Sequence, residues 1–308
     1  MLEVVDVVVV NWNSGVQLAD CIRSLEANAL QNIGKIIIVD NGSTDSSAEG
    51  FELSDKVKVI RAGVNLGFGK ACNLGASSCT SDFILFLNPD AFVYKDTIHS
   101  ALSFMCHPDN QKIGVCGVQL RDENDHVARS CTRLPTANGL LVHAVGLDRF
   151  FPKLGHFMSE WDHSESRLVD HVIGAFYLIR RSLFEDLCGF DERFFVYLED
   201  LDLSNRVKAR GWNIQYLANV RAFHKGGGTS DKVKAKRLFY SLRSRVIYAF
   251  KHFSRVDAVL VLFATLLVEP FCRIAKALLS RSFSAVSETL TAYGYLSIWL
   301  MKRLFTKS

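Results

Sequence analysis

The chain has 308 residues, 49% of them hydrophobic and 22% charged, with only 5 prolines. These values exclude disordered, low-complexity and collagen-like classes and leave room for one large or two modest domains around a sizeable core. The formal net charge of +4 divides unevenly: residues 232–308 carry 14 Lys and Arg against 3 Asp and Glu, or +11, and residues 1–231 carry −7.

The start, MLEVVDVVVVNWN, has an acidic flank in place of a basic one and no small-residue cleavage site, so no signal peptide is expected and the cytosol is the expected compartment. Eight cysteines (21, 72, 79, 106, 116, 131, 188 and 272) show no C-x-x-C pair and read as reduced core thiols. Through the first hundred residues, apolar runs of strand length alternate with helix-period runs, the pattern of βαβ units on a mostly parallel sheet. A strand over 4–11 is followed by a helix over 15–29, with Leu18, Ile22 and Leu25 on one face, and by a strand over 35–40. Asn41-Gly42-Ser43-Thr44-Asp45 has turn and N-cap chemistry and predicts a second helix. Next come a strand from Val57, a Gly-rich helix start over 65–70, and the continuously apolar strand from Asp82, expected to be buried on both faces.

After the turn Asn88-Pro89-Asp90, the pattern predicts a helix over 95–106, a strand over 113–120 and a hairpin partner over 127–131. Residues 132–170 lack a clear period, a length of loop that implies a job such as shaping a binding site. Regular structure resumes with a strand over 171–181, a helix over 198–210 ending at Gly211, and a strand over 213–217. From Lys232 onward three helices are predicted, over 232–252, 256–280 and 284–305, basic on one side and rich in Leu, Val and aromatics on the other. The most apolar run, 258–268, is 11 residues long between Asp257 and Glu269, short of the roughly 20 needed to span a bilayer. The one-sided charge predicts a segment lying on an anionic membrane surface; the plainer alternative is helices packed on the main domain with a solvated basic face.

Ligands of open α/β sheets bind at the carboxyl ends of the strands. Polar residues gather there: Asn11-Trp12-Asn13, Asp40-Asn41, the segment from Asn65 through Gly67 and Phe68, and Asn88-Pro89-Asp90. Taken singly, Asp40 reads equally as a helix cap and Asn88-Pro89-Asp90 as a plain turn. Neither G-x-G-x-x-G nor a P-loop follows a strand, which weakens ordinary NAD and P-loop readings; a divalent metal on an oxygen ligand such as Asp90 is another way to neutralise a diphosphate. Further along, Glu199, Asp202 and Arg206 have the spacing of an exposed charged edge, and acids at a helix start also suit the helix dipole. His224 stands at a strand end before Gly226-Gly227-Gly228-Thr229-Ser230, which reads as a flap over a ligand.

In their order and separations, VVVVNWN, IIIVDNGSTDSS, NLGFGKACNLGA, LFLNPDA and FFVYLEDLDLSNR resemble the motifs of inverting family 2 glycosyltransferases with the GT-A fold. The NWN start, the NPD form and the ED-D-L-x-x-R helix resemble the bacterial rhamnosyltransferase branch. The resemblance covers about residues 4–230. It implies an α/β fold with a Rossmann-like, mostly parallel sheet: a glycosyltransferase domain over 1–231, with a nucleotide-sugar-binding half (1–120) and an acceptor-binding half (121–231). A basic amphipathic helical, membrane-associating extension over 232–308 would follow. It further implies a Mg²⁺ or Mn²⁺ ion and a nucleotide-sugar donor, dTDP-L-rhamnose being favoured over a UDP-hexose or UDP-N-acetylhexosamine, with a lipid-linked saccharide acceptor at the inner face of the cell membrane. By the same resemblance, Asp40 contacts the nucleobase with Asn11, Trp12 and Asn13 near it, and Asn65, Gly67, Phe68 and Asn73 line the nucleoside pocket. Asn88 and Asp90 take the place of the family's DXD, with Asp90 and His224 on the metal. Asp200 is the implied catalytic base, Glu199 orients the acceptor or the base, and Gly174 and Ala175 let the acceptor approach. Asn88 departs from the acidic form of that motif. A non-catalytic scaffold predicts missing acids, whereas Asp40, Asp90 and Asp200 are present. A nucleic-acid binder is disfavoured by the Leu- and Val-rich tail.

Overall fold

A computed structural model describes residues 4–51, 55–226 and 234–305. The expected flap over Gly227–Ser230 and the boundary at 231/232 lie outside these residues. The described residues within 1–134, 161–195 and 199–229 form one compact unit, and those within 135–160, 196–198 and 230–308 form another. Segment 135–160 thus groups with the C-terminal helices.

In the first unit, β1 (Val5–Asn11) is buried along its whole length because parallel neighbours flank it: β2 (Ile33–Asp40) on one side and β4 (Phe83–Leu87) on the other. Helix α1 (Val16–Ala29) buries Leu18, Ile22 and Leu25, β3 (Val57–Arg61) extends the sheet beyond β2, and α2 (Phe68–Ala76) precedes β4. Asp6, buried in β1, accepts from the backbone N–H groups of Lys35 at 2.8 Å, Thr80 at 2.6 Å and Ser81 at 2.9 Å, which ties down the loops at the amino end of the sheet. Then follow β5 (Ala91–Val93), α3 (Thr97–Cys106), β6 (Ile113–Arg121) and β7 (Cys131–Thr132). After α4 (Ala137–Ala144), which belongs to the second unit, come β8 (Arg167–Val169), β9 (His171–Val172), β10 (Phe176–Arg180), α5 (Arg181–Asp186), α6 (Glu199–Ala209) and β11 (Asn213–His224). The nine-stranded sheet has the order β3-β2-β1-β4-β10-β6-β11-β5, with β8 pairing β11 and a separate β7-β9 ladder. It is mixed, with β10 antiparallel to both β4 and β6.

Three local expectations change. Among the described residues no α-helix stands between β2 and β3: residues 41–50 form bends and turns, with Gly42 at φ +74, because the side chains of Asn11 and Asn13 hold this segment down. The hairpin over 127–131 is cut short: Val127 bridges Arg121 antiparallel and the Ala128 N–H donates to the Leu120 carbonyl at 2.9 Å, after which Cys131 pairs with Val172 instead. The run 171–181 is two strands, not one, since β9 and β10 pair with different neighbours. The eight cysteines are free, and burial pushes the thiols of Cys79 and Cys131 up to about 12, so both stay protonated at neutral pH.

The second unit contains α4, short 3₁₀ turns at Leu147–Arg149 and Pro152–Leu154, and helices α7 (Lys234–His252), α8 (Arg255–Phe263), α9 (Glu269–Leu279) and α10 (Phe283–Phe305). Leu140 of α4, Ala249 of α7, and Ala258 and Val261 of α8 share one small core. A five-residue π turn, Ala264–Val268, joins α8 to α9, so helix runs from Arg255 to Leu279, 25 residues. The helix expected over 256–280 is therefore present, and although its most apolar run is 11 residues, by length and composition the whole helix suffices to cross a membrane. Glu269 lies within it, its carboxylate buried against Arg245 and Arg273, and the helix passes Pro270, which has no N–H to give the preceding turn, by widening to the π turn just before it.

Candidate active site

Strands β1 to β4 run parallel, so their carboxyl ends share one edge of the sheet. Asn11, at the end of β1, is fully buried, and its Nδ2 donates to Ser43 Oγ at 3.0 Å and Ser47 Oγ at 2.8 Å. It supports the turn from behind, and the same Nδ2 lies 3.5 Å from Asp40 Oδ1. Asn13, with φ +53, accepts at Oδ1 from the Thr44 N–H at 2.7 Å. Its own N–H donates to Ser43 Oγ at 3.1 Å. The turn held in this way carries Asp40, whose Oδ1 accepts from the Ser43 N–H at 3.3 Å and whose Oδ2 lies 3.9 Å from Arg61 Nη1. Trp12 is exposed next to them.

The loop into α2 is tied by amides. Asn41 Oδ1 accepts from the Leu66 N–H at 2.8 Å, and Asn65 Oδ1 accepts from the Gly67 N–H at 2.9 Å and from Asn41 Nδ2 at 3.2 Å. Gly67 has φ +84, a side chain there would collide with the Phe195 carbonyl, and the next N–H, of Phe68, donates to that carbonyl at 2.7 Å. Asn73 commits its amide to the Phe190 backbone, accepting from the N–H at 2.8 Å and donating to the C=O at 2.9 Å. Gly67 and Asn73 thus serve close packing of α2 on the 190–195 segment. The half-buried ring of Phe68 stays near Gly174, 3.5 Å from where a β-carbon on that glycine would stand.

At the end of β4, register brings the predicted metal residues together. Strand β5 pairs antiparallel with β11, placing Ala91 opposite His224 and so Asp90 beside it. His224 Nε2 lies 3.4 Å from Asp90 Oδ1 and 3.4 Å from Asn88 Nδ2. Nε2 can give a proton to Asp90 or take one from the Asn88 amide, and in the second tautomer its lone pair is the donor that a cation takes. One carboxylate oxygen and one imidazole nitrogen fit a divalent ion that completes its shell with diphosphate oxygens and water. Among the described residues no group of three or more His, Cys, Asp or Glu surrounds a cation-sized space.

Asp200 opens α6 and faces the same edge. Its Oδ2 accepts from the Gly174 N–H at 2.8 Å and its Oδ1 from the Leu201 N–H at 2.8 Å, bonds that fix the orientation of the carboxylate. Asn88 donates its N–H to the Ala175 carbonyl at 3.1 Å, so the Asn88–Asp90 corner and the Asp200 anchor lie one residue apart on the start of β10. Gly174 makes room for Asp200 itself, since a β-carbon there would stand 3.3 Å from Oδ2, and Ala175 is buried. Their expected contact with an acceptor is corrected on those grounds. Tyr197 and Leu198, at φ +70 and +64, form the strained turn that leads into this helix.

Glu199 is 4% exposed, and its Oε2 has no hydrogen-bond partner. Burial, reinforced by the adjacent Asp200 charge, holds its carboxyl well above the usual carboxylate range. The side chain is neutral and enclosed, packed where a β-carbon on Gly69 would touch it, and this corrects its expected acceptor contact. The charged edge is likewise internal: Asp202 is fully buried and pairs with Arg206 Nε at 2.9 Å.

Sequence reasoning missed His171, Ser204 and Tyr177. His171 Nε2 lies 3.8 Å from Asp200 Oδ2, its Nδ1 2.9 Å from Ser204 Oγ, and Ser204 Oγ 3.0 Å from the Tyr177 hydroxyl. Burial lowers the imidazole's affinity for a proton and raises the phenol's, so both are neutral. Donation from Tyr177 to Ser204 and from Ser204 to Nδ1 satisfies each group and leaves Nε2–H facing the Asp200 carboxylate; the reverse direction would set a lone pair against it. The i, i+4 spacing of Asp200 and Ser204 on one helix face was the available signal.

A family model described as "Glycosyl transferase family 2" matches residues 6–188. An N-acetylglucosaminyl-diphospho-decaprenol L-rhamnosyltransferase of Mycobacterium tuberculosis is 28% identical over 263 residues, covering 80% of this chain and 84% of that protein. The rhamnosyltransferase WbbL of Escherichia coli K12 is 26% identical over 246 residues, covering 73% and 88%. Among solved structures, a mannosyltransferase from Pyrobaculum calidifontis in complex with GDP-Man and Mn²⁺ superposes with a TM-score of 0.54 at 16% identity, over 98% of this chain and 83% of that one.

Proposed function

Because the chain belongs to glycosyl transferase family 2, we propose that it moves L-rhamnose from dTDP-L-rhamnose, with inversion, to a hydroxyl of a lipid-linked saccharide during cell-surface polysaccharide synthesis. The observation that carries this reading is the meeting of a solvent-reachable, backbone-anchored Asp200 with the Asp90–His224 pair at one end of the sheet. The similarity to rhamnosyltransferases over most of both chains supports the choice of sugar, and the decaprenol-linked substrate named for one of them supports a lipid-linked acceptor.

In this mechanism, Asp200 takes the proton of the acceptor hydroxyl as its oxygen bonds to the anomeric carbon on the face opposite the diphosphate. The bond from that carbon to the diphosphate oxygen breaks, and dTDP leaves with the electron pair. Asp90 and His224 would hold Mg²⁺ or Mn²⁺, which when bound supplies charge neutralisation for the departing diphosphate. Asp40, Trp12 and Asn13 bind the nucleoside. His171 Nε2–H steadies the carboxylate of Asp200, and neutral Glu199 spares that carboxylate a second charge at its side.

The same reading assigns the first compact unit to transfer, its nucleotide-sugar half within 1–120, and the second to the inner face of the cell membrane. An interfacial position suits the helix pair α8–α9 better than a span. Val256, Leu260, Phe263, Leu267 and Phe271 are exposed, whereas Ala258, Val261, Thr265 and Glu269 pack inward. A span would bury the Arg245–Glu269–Arg273 cluster and the basic helix α7 in hydrocarbon.

Incubating the protein and Mn²⁺ with labelled dTDP-rhamnose, UDP-glucose or UDP-N-acetylglucosamine and an N-acetylglucosaminyl-diphospho-polyprenol acceptor tests the reading. Label is expected in the lipid fraction from dTDP-rhamnose. Transfer from a UDP-sugar alone would keep the family and overturn the sugar.

A further inference from the structure

Within the second unit, the segment that carries no sequence period is a built structure. Its two 3₁₀ turns are fixed by His143 Nδ1 at 2.6 Å from Asp148 Oδ2, by the His156 ring on Phe157 at a centroid distance of 4.0 Å, and by Gly155, whose missing side chain lets Asp148 lie close. Under this base, Leu140 of α4 packs with Ala258 and Val261 of α8.

What the base presents is apolar and cationic. Phe150 is 78% exposed and Phe151 59%, with Val145, Leu147, Leu154 and Phe157 exposed as well. The exposed charges between them are Arg149 and Lys153, while the one carboxylate, Asp148, is enclosed by its histidine partner. Two adjacent phenylalanines turned outward from a rigid base gain nothing from water. Aromatic and apolar tips flanked by basic residues match the boundary between acyl chains and anionic headgroups, where each kind of group finds its solvent.

We propose that residues 145–157 form an aromatic wedge that inserts into the headgroup region of an anionic bilayer, a second membrane contact separate in sequence from helices α8 and α9. The proposal rests on the interfacial reading of the second unit and adds to it a specific insertion element. Its occupant is lipid rather than a second copy of the chain, because the exposed charges of the wedge are of one sign and repel their like.

The test uses the full-length protein and vesicles of phosphatidylcholine with or without about one third phosphatidylglycerol. Phe150→Ala/Phe151→Ala, both at exposed positions, is expected to weaken co-flotation with anionic vesicles by about tenfold or more. In Phe150→Trp, lipids brominated high on the acyl chain are expected to quench the added tryptophan fluorescence, measured against the wild-type protein. A parallel variant, Phe263→Asp/Phe271→Asp, probes the α8–α9 face. If only the helix variant loses binding and the tryptophan introduced by Phe150→Trp is not quenched, the wedge is wrong and the interfacial reading stands. If wild-type protein floats with neither vesicle, both fail. A dimer in sedimentation that the double alanine variant dissociates, with flotation unchanged, would make the wedge a contact between copies and overturn the proposal.

Discussion

Glu199 and Asp200 are neighbours in the chain and opposites in environment. Asp200 keeps two backbone N–H donors and access to solvent, whereas Glu199 is enclosed with an oxygen that has no partner. The sign of the resulting pH dependence follows from linkage. A carboxyl whose folded-state pKa is raised binds an extra proton on folding, so its favourable contribution is complete below the unfolded value of about 4.3 and is lost as pH rises toward the folded value. Glu199→Gln removes that loss. Urea unfolding is expected to show the variant gaining on wild type as pH rises from about 4 to 8, by up to a factor of about ten in the folding equilibrium per pH unit; a pH-independent difference would contradict the assignment. At this scale, the positions of Asp40, Asp90 and His224 at strand ends were legible in the sequence. The roles of Asn11, Gly67, Asn73 and Ala175 were not, because the same residue serves a ligand or a backbone contact, and only burial and partners tell the two apart.

Elements decide which of these residues meet. Parallel pairing of β1 to β4 collects four strand ends, the β5–β11 register seats His224 by Asp90, and His171 at the start of β9 reaches α6 through Ser204. Most elements of the first unit were readable from period and turn chemistry. The two-residue ladder β7–β9 was not, since it is set by partners distant in sequence. The β9–α6 link carries its own prediction. His171→Phe fills the space but removes Nε2–H, and is expected to lower kcat about tenfold or more while the donor KM holds, with His171→Gln restoring part of the loss through its own side-chain N–H. A fall matched by equal loss of thermal stability, or no recovery in the glutamine variant, would make the histidine a packing residue only.

The whole chain combines a −7 segment and a +11 segment, a contrast that composition alone makes plain. The contribution of residues 135–160 to the second unit is not legible in that way, because a loop's loyalty is settled by what it packs on. The account stands or falls on glycosyl transfer with Asp200 as the base. The most direct measurement is the single-turnover rate of label transfer from dTDP-rhamnose by Asp200→Asn beside the wild type, with dTDP affinity measured by calorimetry on both. The prediction is a rate at least ~100-fold lower with dTDP affinity unchanged; near-normal transfer by the variant would contradict it.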